Sequence, residues 1–182
     1  DHTIVAPIVE IALRHYADLR VVQFDAHPDL RGQFLGERWN YASAMSRLLD
    51  YLRPDRLYQI GLRTGDREEW ASRGTRVFPG WAVSVPEAAA QVAAEVAGQP
   101  VYVTLDIDIL DPSVAPGTGS PEPGGIGVAE LGLALRRLGA AGIVGFDLVE
   151  VSPLWDPSGR TSITAAAIVR EAILTWWGKT GA

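Results

Sequence analysis

The stretch RVVQFDAHPDL, residues 20–30, decides how this chain is read. It begins as a short apolar run, the mark of a strand buried on both faces. It ends in Asp25, His27 and Asp29, three ligand-type side chains alternating with small or apolar residues. Charge at the end of a buried strand is costly unless something compensates it. Pro28 biases His27 toward an extended backbone, which helps keep the three side chains on one side. In open parallel α/β sheets, ligands bind beyond the carboxyl ends of the strands, and that is where these residues stand.

Working outward, strands alternate with helices. Residues 4–17 place Ile4, Ile8, Ile11, Ala12 and His15 at helical spacing, with Thr3 as the expected N-cap. Helices are also expected over 40–52, 66–73, 86–98, 128–138 and 161–177. Pro86 and Gly98 bracket the third of these in the usual order. Strands are expected over 20–25, 56–63, 76–79, 101–108 and 142–151, nearly all continuously apolar. The pattern predicts an α/β fold, a parallel sheet between layers of helices, in one domain over residues 1–182.

A second acidic run closes another strand. TLDIDILDP supplies Asp106, Asp108 and Asp111, the first two at a spacing that suits one side of an extended backbone. Two such strand ends side by side gather at least four carboxylates and an imidazole. Without neutralisation the cluster would push its own pKa values up. Two divalent cations are the natural remedy, and a pair of ions can activate a shared water for hydrolysis. The donors are oxygen with some imidazole and no sulfur, which favours Mn²⁺ over Zn²⁺. Taken singly, each motif also fits a capped loop with solvated charges; together, each after a buried strand, they point to metal. The long loop after Asp111, DPSVAPGTGSPEPGG (111–125), is expected to wall an active site.

The bulk numbers are consistent with this. The chain has 182 residues, 47% apolar and 21% charged, enough for a real core. A net charge of −6 gives no reason to expect a nucleic-acid partner and suits a cationic small molecule. There is no cysteine, which removes thiolate sites and fits a reducing, cytoplasmic setting. No apolar run approaches a membrane span, so no membrane partner is expected.

Four segments resemble the ureohydrolase family of arginases and agmatinases. "DH" (1–2) resembles the end of the family's G-G-D-H motif, and FDAHPDL (24–30) its D-A-H-x-D motif. LDIDILDPSVAPGTGSPEPGG (105–125) resembles its third motif. GFDLVEVSPLWDPSGRTS (145–162) resembles the segment with its substrate-facing Glu. The resemblance implies a three-layer αβα sandwich that here lacks the family's N-terminal part. It implies two Mn²⁺ ions held by His2, Asp25, His27, Asp29, Asp106 and Asp108. Asp25 and Asp106 would bridge the two; His2 and Asp29 would complete one ion, His27 and Asp108 the other. Glu150 would hold the substrate guanidinium, and Asp29 would act as catalytic proton carrier. P-G-T-G (116–119) looks like agmatinase rather than arginase, so the implied reaction is agmatine to putrescine and urea. Guanidinobutyrase or formimidoylglutamase activity is the neighbouring alternative. GLRTGDREEW (61–70) resembles the agmatinase-type segment; Asp66 and Glu69 are expected either to line the substrate entrance or to serve only as charges at a helix start. The family is often trimeric or hexameric, so a homo-oligomer is implied. One departure matters: where active members carry a proton-shuttling His, the alignment here gives Tyr41. That leaves open a metal-binding homologue that is weak or silent in catalysis. An amide hydrolase of the same superfold is a third reading, disfavoured by P-G-T-G and V-E-V-S-P.

Overall fold

The computed structural model describes residues 1–71, 74–139 and 141–178. Five parallel strands, β1 (Arg20–Phe24), β2 (Leu57–Ile60), β3 (Arg76–Phe78), β4 (Pro100–Asp106) and β5 (Gly142–Val149), form one sheet in the order β3-β2-β1-β4-β5. The order reverses at β1, whose neighbours are β2 and β4. That switch point opens the crevice where ligands bind in such sheets.

Helices cover both faces, so the architecture is a three-layer αβα sandwich. On one face lie α1 (Val5–Ala12) and α2 (Ala44–Leu48). Their Val5, Val9, Ala44, Met45 and Leu48 pack with Val21, Leu57 and Tyr102 of the sheet. On the other face α4 (Val85–Glu95), α5 (Val128–Leu138) and α6 (Arg160–Trp176) bury a larger cluster with Val22, Phe24, Val103 and Leu105. A short α3 (Arg67–Trp70) precedes β3. α5 shows why these segments become helices here. Leu131, Ala134, Leu135 and Leu138 recur at helical spacing and are all buried, while Arg136 and Arg137 face outward in the last turn. Each fully buried Leu contributes about 1.5–3 kcal/mol. α4 is capped by Ser84, whose side chain accepts from the Glu87 amide, and it places Pro86 in its first turn.

Several expectations are corrected. The first helix is shorter than 4–17: α1 follows a 3₁₀ turn, His2–Ile4, whose N-cap is Asp1, accepting from the Thr3 amide, and Thr3 lies inside that turn. Its buried side is Val5, Ala6 and Val9, while Ile4, Ile8 and Ile11 are exposed. Apolar residues run right round this helix, so periodicity alone cannot choose the buried face. His15 is exposed on a turn, not packed in a helix. The strand expected over 101–108 ends at Asp106; residues Ile107–Ile109 form a 3₁₀ turn. The helix expected over 66–73 ends at Trp70, and its last expected residues, 72 and 73, lie outside the described residues. Among the described residues no helix is long and apolar enough to cross a membrane.

Candidate metal centre

Residues from four regions meet at the carboxyl ends of β1, β4 and β5. Two groups of three residues each bring their donor atoms within 4.8 Å inside the group: His2, Asp25 and Asp106 in one, Asp25, His27 and Asp108 in the other. Asp25 belongs to both. His2 is fully buried, and its Nδ1 sits 3.2 Å from Asp25, 3.0 Å from Asp29 and 3.4 Å from Asp106. His27 Nδ1 sits 2.8 Å from Asp108 and 3.6 Å from Asp25. The six residues expected around metal are thus brought together. Asp111 is not among them. The chain turns after Asp106, and the Asp111 carboxylate instead accepts from the Ser113 and Gly124 amides. A hydrogen bond from the Ser113 side chain, with those from the two amides, holds its pKa down at about 2, and the amide bonds pin the two ends of the 111–125 loop.

The backbone reaches this geometry at a cost. Asp29 and Glu150 both adopt left-handed φ, at 53° and 63°. Such strain is tolerated where the surroundings over-determine it, and it concentrates at functional sites. The 3₁₀ turn after β4 is begun by Asp106 itself, whose side chain accepts from the Asp108 amide. Asp108 in turn accepts from the Ala26 amide, tying the two acidic strand ends together.

The chemistry of the donors fits a cation. The His2 Nε2 lies 2.9 Å from Thr104 Oγ1, and that hydroxyl donates to Asp147 at 2.7 Å. With its proton committed to Asp147, the Thr104 oxygen accepts from Nε2–H. In the neutral ring the lone pair of His2 is therefore on Nδ1, a buried atom without a hydrogen-bond partner among the described residues, facing three carboxylates. This is how metal-bound imidazoles are ordinarily oriented. Burial alone would depress His2, but the close carboxylates of Asp106, Asp25 and Asp29 hold it well above the usual histidine range. For His27, burial is likewise outweighed, by Asp108 and Asp25, and its pKa is pushed up to about 11. Burial and the charge of Asp25 lift Asp29 to about 7. Burial and the neighbouring carboxylates also raise Asp106 and Asp108. Asp25 goes the other way: burial would raise it, but the two histidines hold it below the carboxylate range.

The cluster floors a cleft of about 350 Å³. Glu150 lines it, and one of its oxygens accepts from the His2 backbone amide at 2.7 Å. Tyr41 also lines it, half-exposed and set edge-on to Phe34 with ring centroids 5.8 Å apart. The 111–125 loop contributes Thr118 and Ser120, as a wall should. Thr118 is buried, with a hydroxyl that has no hydrogen-bond partner among the described residues. Gly117 is what brings it there. A Cβ at Gly117 would stand 2.8 Å from Asp156 Cβ and 3.0 Å from Thr161 Oγ1, so only glycine lets the loop dock on the start of α6.

Asp66 and Glu69 do line the cleft, but both carboxylates are engaged in structure. They form a capping box at α3: Asp66 accepts from the Glu68 and Glu69 amides, and Glu69 accepts from the Asp66 amide. Glu69 also accepts from the Leu30 amide and pairs with Arg31, whose guanidinium sits 5.0 Å over the Phe34 ring. Asp66→Ala is expected to cost about 1 kcal/mol of stability, whereas Asp66→Asn, an equally good cap, is expected to stay within a few tenths. Denaturant unfolding of both variants checks this. If Asp66→Asn were as unstable as Asp66→Ala, capping would not be the role.

Sequence reading missed Arg31, Phe34, Thr118 and Thr104. It also missed the buried Gln23 and Gln59 behind the acids. The available signal was a single polar residue two positions before each ligand strand's end: Gln23 before Asp25, and Thr104 before Asp106.

The arginase family model matches residues 1–175. An agmatinase of Bacillus cereus is 39% identical over 97% of this chain and 61% of its own length. A guanidinobutyrase of Pseudomonas aeruginosa is 36% identical over 95% of this chain and 57% of its own. The solved structure of proclavaminate amidino hydrolase from Streptomyces clavuligerus superposes with a TM-score of 0.87 at 35% identity, covering 97% of this chain and 62% of that one. The chain spans about three-fifths of the length of the curated relatives it matches. A buried pair of His/Asp groups at the switch point of a parallel sheet and a family match along nearly its whole length agree: this chain belongs to the arginase family.

Proposed function

We propose that the protein is a binuclear manganese hydrolase of a small linear guanidino compound, agmatine foremost, releasing urea and an amine such as putrescine. The observation that carries this reading is the sharing of Asp25 between two buried donor groups that open on one cleft beside Glu150. His2 and Asp29 would hold one ion and His27 and Asp108 the other, with Asp25 and Asp106 between them. Bound there, the two ions would activate a water and stabilise the charge that develops in hydrolysis. The oxygen-rich donor set, without sulfur, suits Mn²⁺.

The chain's own residues do the rest. Glu150 faces the cleft and would orient the guanidinium by a charge-assisted pair. Asp29 is buried beside the cleft, placed so that its carboxylate would take a proton from the attacking water and hand it to the leaving amine. In balance, water adds its oxygen to the guanidino carbon, the carbon–nitrogen bond to the alkyl amine breaks, and the amine leaves with the transferred proton. Support for agmatine comes from P-G-T-G and from the agmatinase of B. cereus; the guanidinobutyrase of P. aeruginosa keeps a carboxylate-tailed substrate in the test.

The test is urea release by the Mn²⁺-loaded protein from agmatine, 4-guanidinobutyrate and arginine, and formamide release from formimidoylglutamate. Urea from agmatine at the highest kcat/KM is the expected result. No turnover of any of them, in a protein shown to hold two metals, would defeat the proposal. Glu150→Gln keeps the acceptor for the His2 amide but removes the charge. It is expected to lower kcat/KM ~10–100-fold, the worth of a hydrogen bond to a charged group, while metal content stays unchanged.

A second reading rests on Tyr41, which lines the cleft where active relatives are expected to place a histidine. On that reading the protein binds metal and substrate but turns over slowly or not at all.

A further inference from the structure

Behind the acidic cluster, the register of the sheet sets four polar residues in one row. Gln59 of β2 pairs with Gln23 of β1, Gln23 with Thr104 of β4, and Thr104 with Asp147 of β5. Gln23 and Gln59 are fully buried. Each lies where an apolar residue would be expected in a strand covered on both faces, so each needs partners.

Their partners run in one direction. The Thr75 hydroxyl donates to Gln59 Oε1 at 2.9 Å. Gln59 Nε2 donates to Gln23 Oε1 at 2.7 Å and to the Pro28 carbonyl at 2.9 Å. Gln23 Nε2 donates to Asp25 Oδ2 at 2.7 Å and to the His27 carbonyl at 3.1 Å. Both amide groups are fully used. The orientation is dictated by chemistry: a flipped Gln23 would aim its carbonyl at the Asp25 carboxylate and lose both donations. The relay therefore ends on the one carboxylate shared by both donor groups, and it also clamps the backbone of the turn that carries His27 and Asp29.

We propose that Gln23, Gln59 and Thr75 are positioning residues for metal uptake: a one-way donor relay that fixes the Asp25 carboxylate and the 27–28 backbone before an ion arrives. This rests on the metal reading above. Hydrogen bonds of this kind behind a ligand commonly govern affinity for the ion rather than the fold. Cooperative polarisation along the chain would make its members act as one unit.

The experiment is a Mn²⁺ titration, followed by calorimetry and by electron paramagnetic resonance, of the parent protein and of Gln23→Met, Gln59→Met, Thr75→Val and the double Gln23→Met/Gln59→Met. Circular dichroism identifies any variant that fails to fold, and Thr75→Val, at the far end of the relay, keeps the test open if the buried variants do. Gln23→Met is expected to weaken Mn²⁺ binding ~10–100-fold, Gln59→Met less, and Thr75→Val least. The double variant is expected to lose less than the two single losses added together, since the link from Gln59 to Asp25 is already cut at Gln23; independent packing effects would instead add. Undiminished Mn²⁺ affinity in folded Gln23→Met, or in folded Thr75→Val and Gln59→Met together, would overturn the relay and leave the metal reading standing. Additive losses would overturn it too. A parent protein that takes up no Mn²⁺ would overturn both.

Discussion

Asp25→Asn is expected to abolish urea release, by a factor on the order of 10³ or more, and to empty both metal positions. Removing a single stabilising donor from a hydrolytic site costs about 10²–10³; Asp25 stands behind more than one. It is the residue common to both donor groups, 3.2 Å from His2 and 3.6 Å from His27. Asparagine preserves the shape but offers one neutral oxygen where two charged ones stood. Asp108→Asn is the comparison that gives the result meaning. Asp108 belongs only to the group with His27. Its loss should cost one ion and leave the other, so metal analysis should read close to none for Asp25→Asn and close to one for Asp108→Asn. Two tightly bound Mn²⁺ ions in a folded Asp25→Asn protein would remove the basis of the proposed function.

The second large effect runs upward. Tyr41→His is expected to raise kcat by ~10²-fold or more, within the 10²–10⁴ that a positioned acid–base group supplies. Tyr41 opens the turn that leads into α2, lines the cleft and is half-exposed, so an imidazole there would reach both solvent and substrate. Phenol, with an ordinary pKa near 10, exchanges protons poorly at neutrality; imidazole, near 6.5, does so readily. The pH profile should gain a new limb around that value. An unchanged rate and an unchanged profile would show that the chain carries its proton by another route and that Tyr41 is no deficiency.

The parts of this molecule legible in its sequence are those where one rule acts alone. Buried parallel strands read as apolar runs, and β1, β2, β4 and β5 stand where those runs are. The ligand-type residues at the ends of β1 and β4 were legible because charge after a buried strand demands a reason. Where two rules compete, the sequence was mute. Along α1, Val5 and Val9 are as apolar as Ile4 and Ile8, and only packing against Met45 and Leu48 selects the first pair. Even spacing placed Asp106 and Asp108 on one extended edge, but the Asp106 side chain caps its own turn and redirects the chain. Thr118, Arg31 and Gln23 escaped notice because a lone polar residue carries no pattern. Their significance comes from neighbours far away in the chain, such as Thr161 behind Gly117 and Gln59 beside Gln23.

The left-handed conformation of Asp29 and Glu150 has a consequence for anyone improving this protein. L-residues cost roughly 1–2 kcal/mol there, and glycine does not. A library sorted only for heat resistance would therefore drift toward glycine at both positions, discarding the two carboxylates on which turnover is proposed to depend. Ruggedness and usefulness pull against each other at these two residues, and any screen needs to score both.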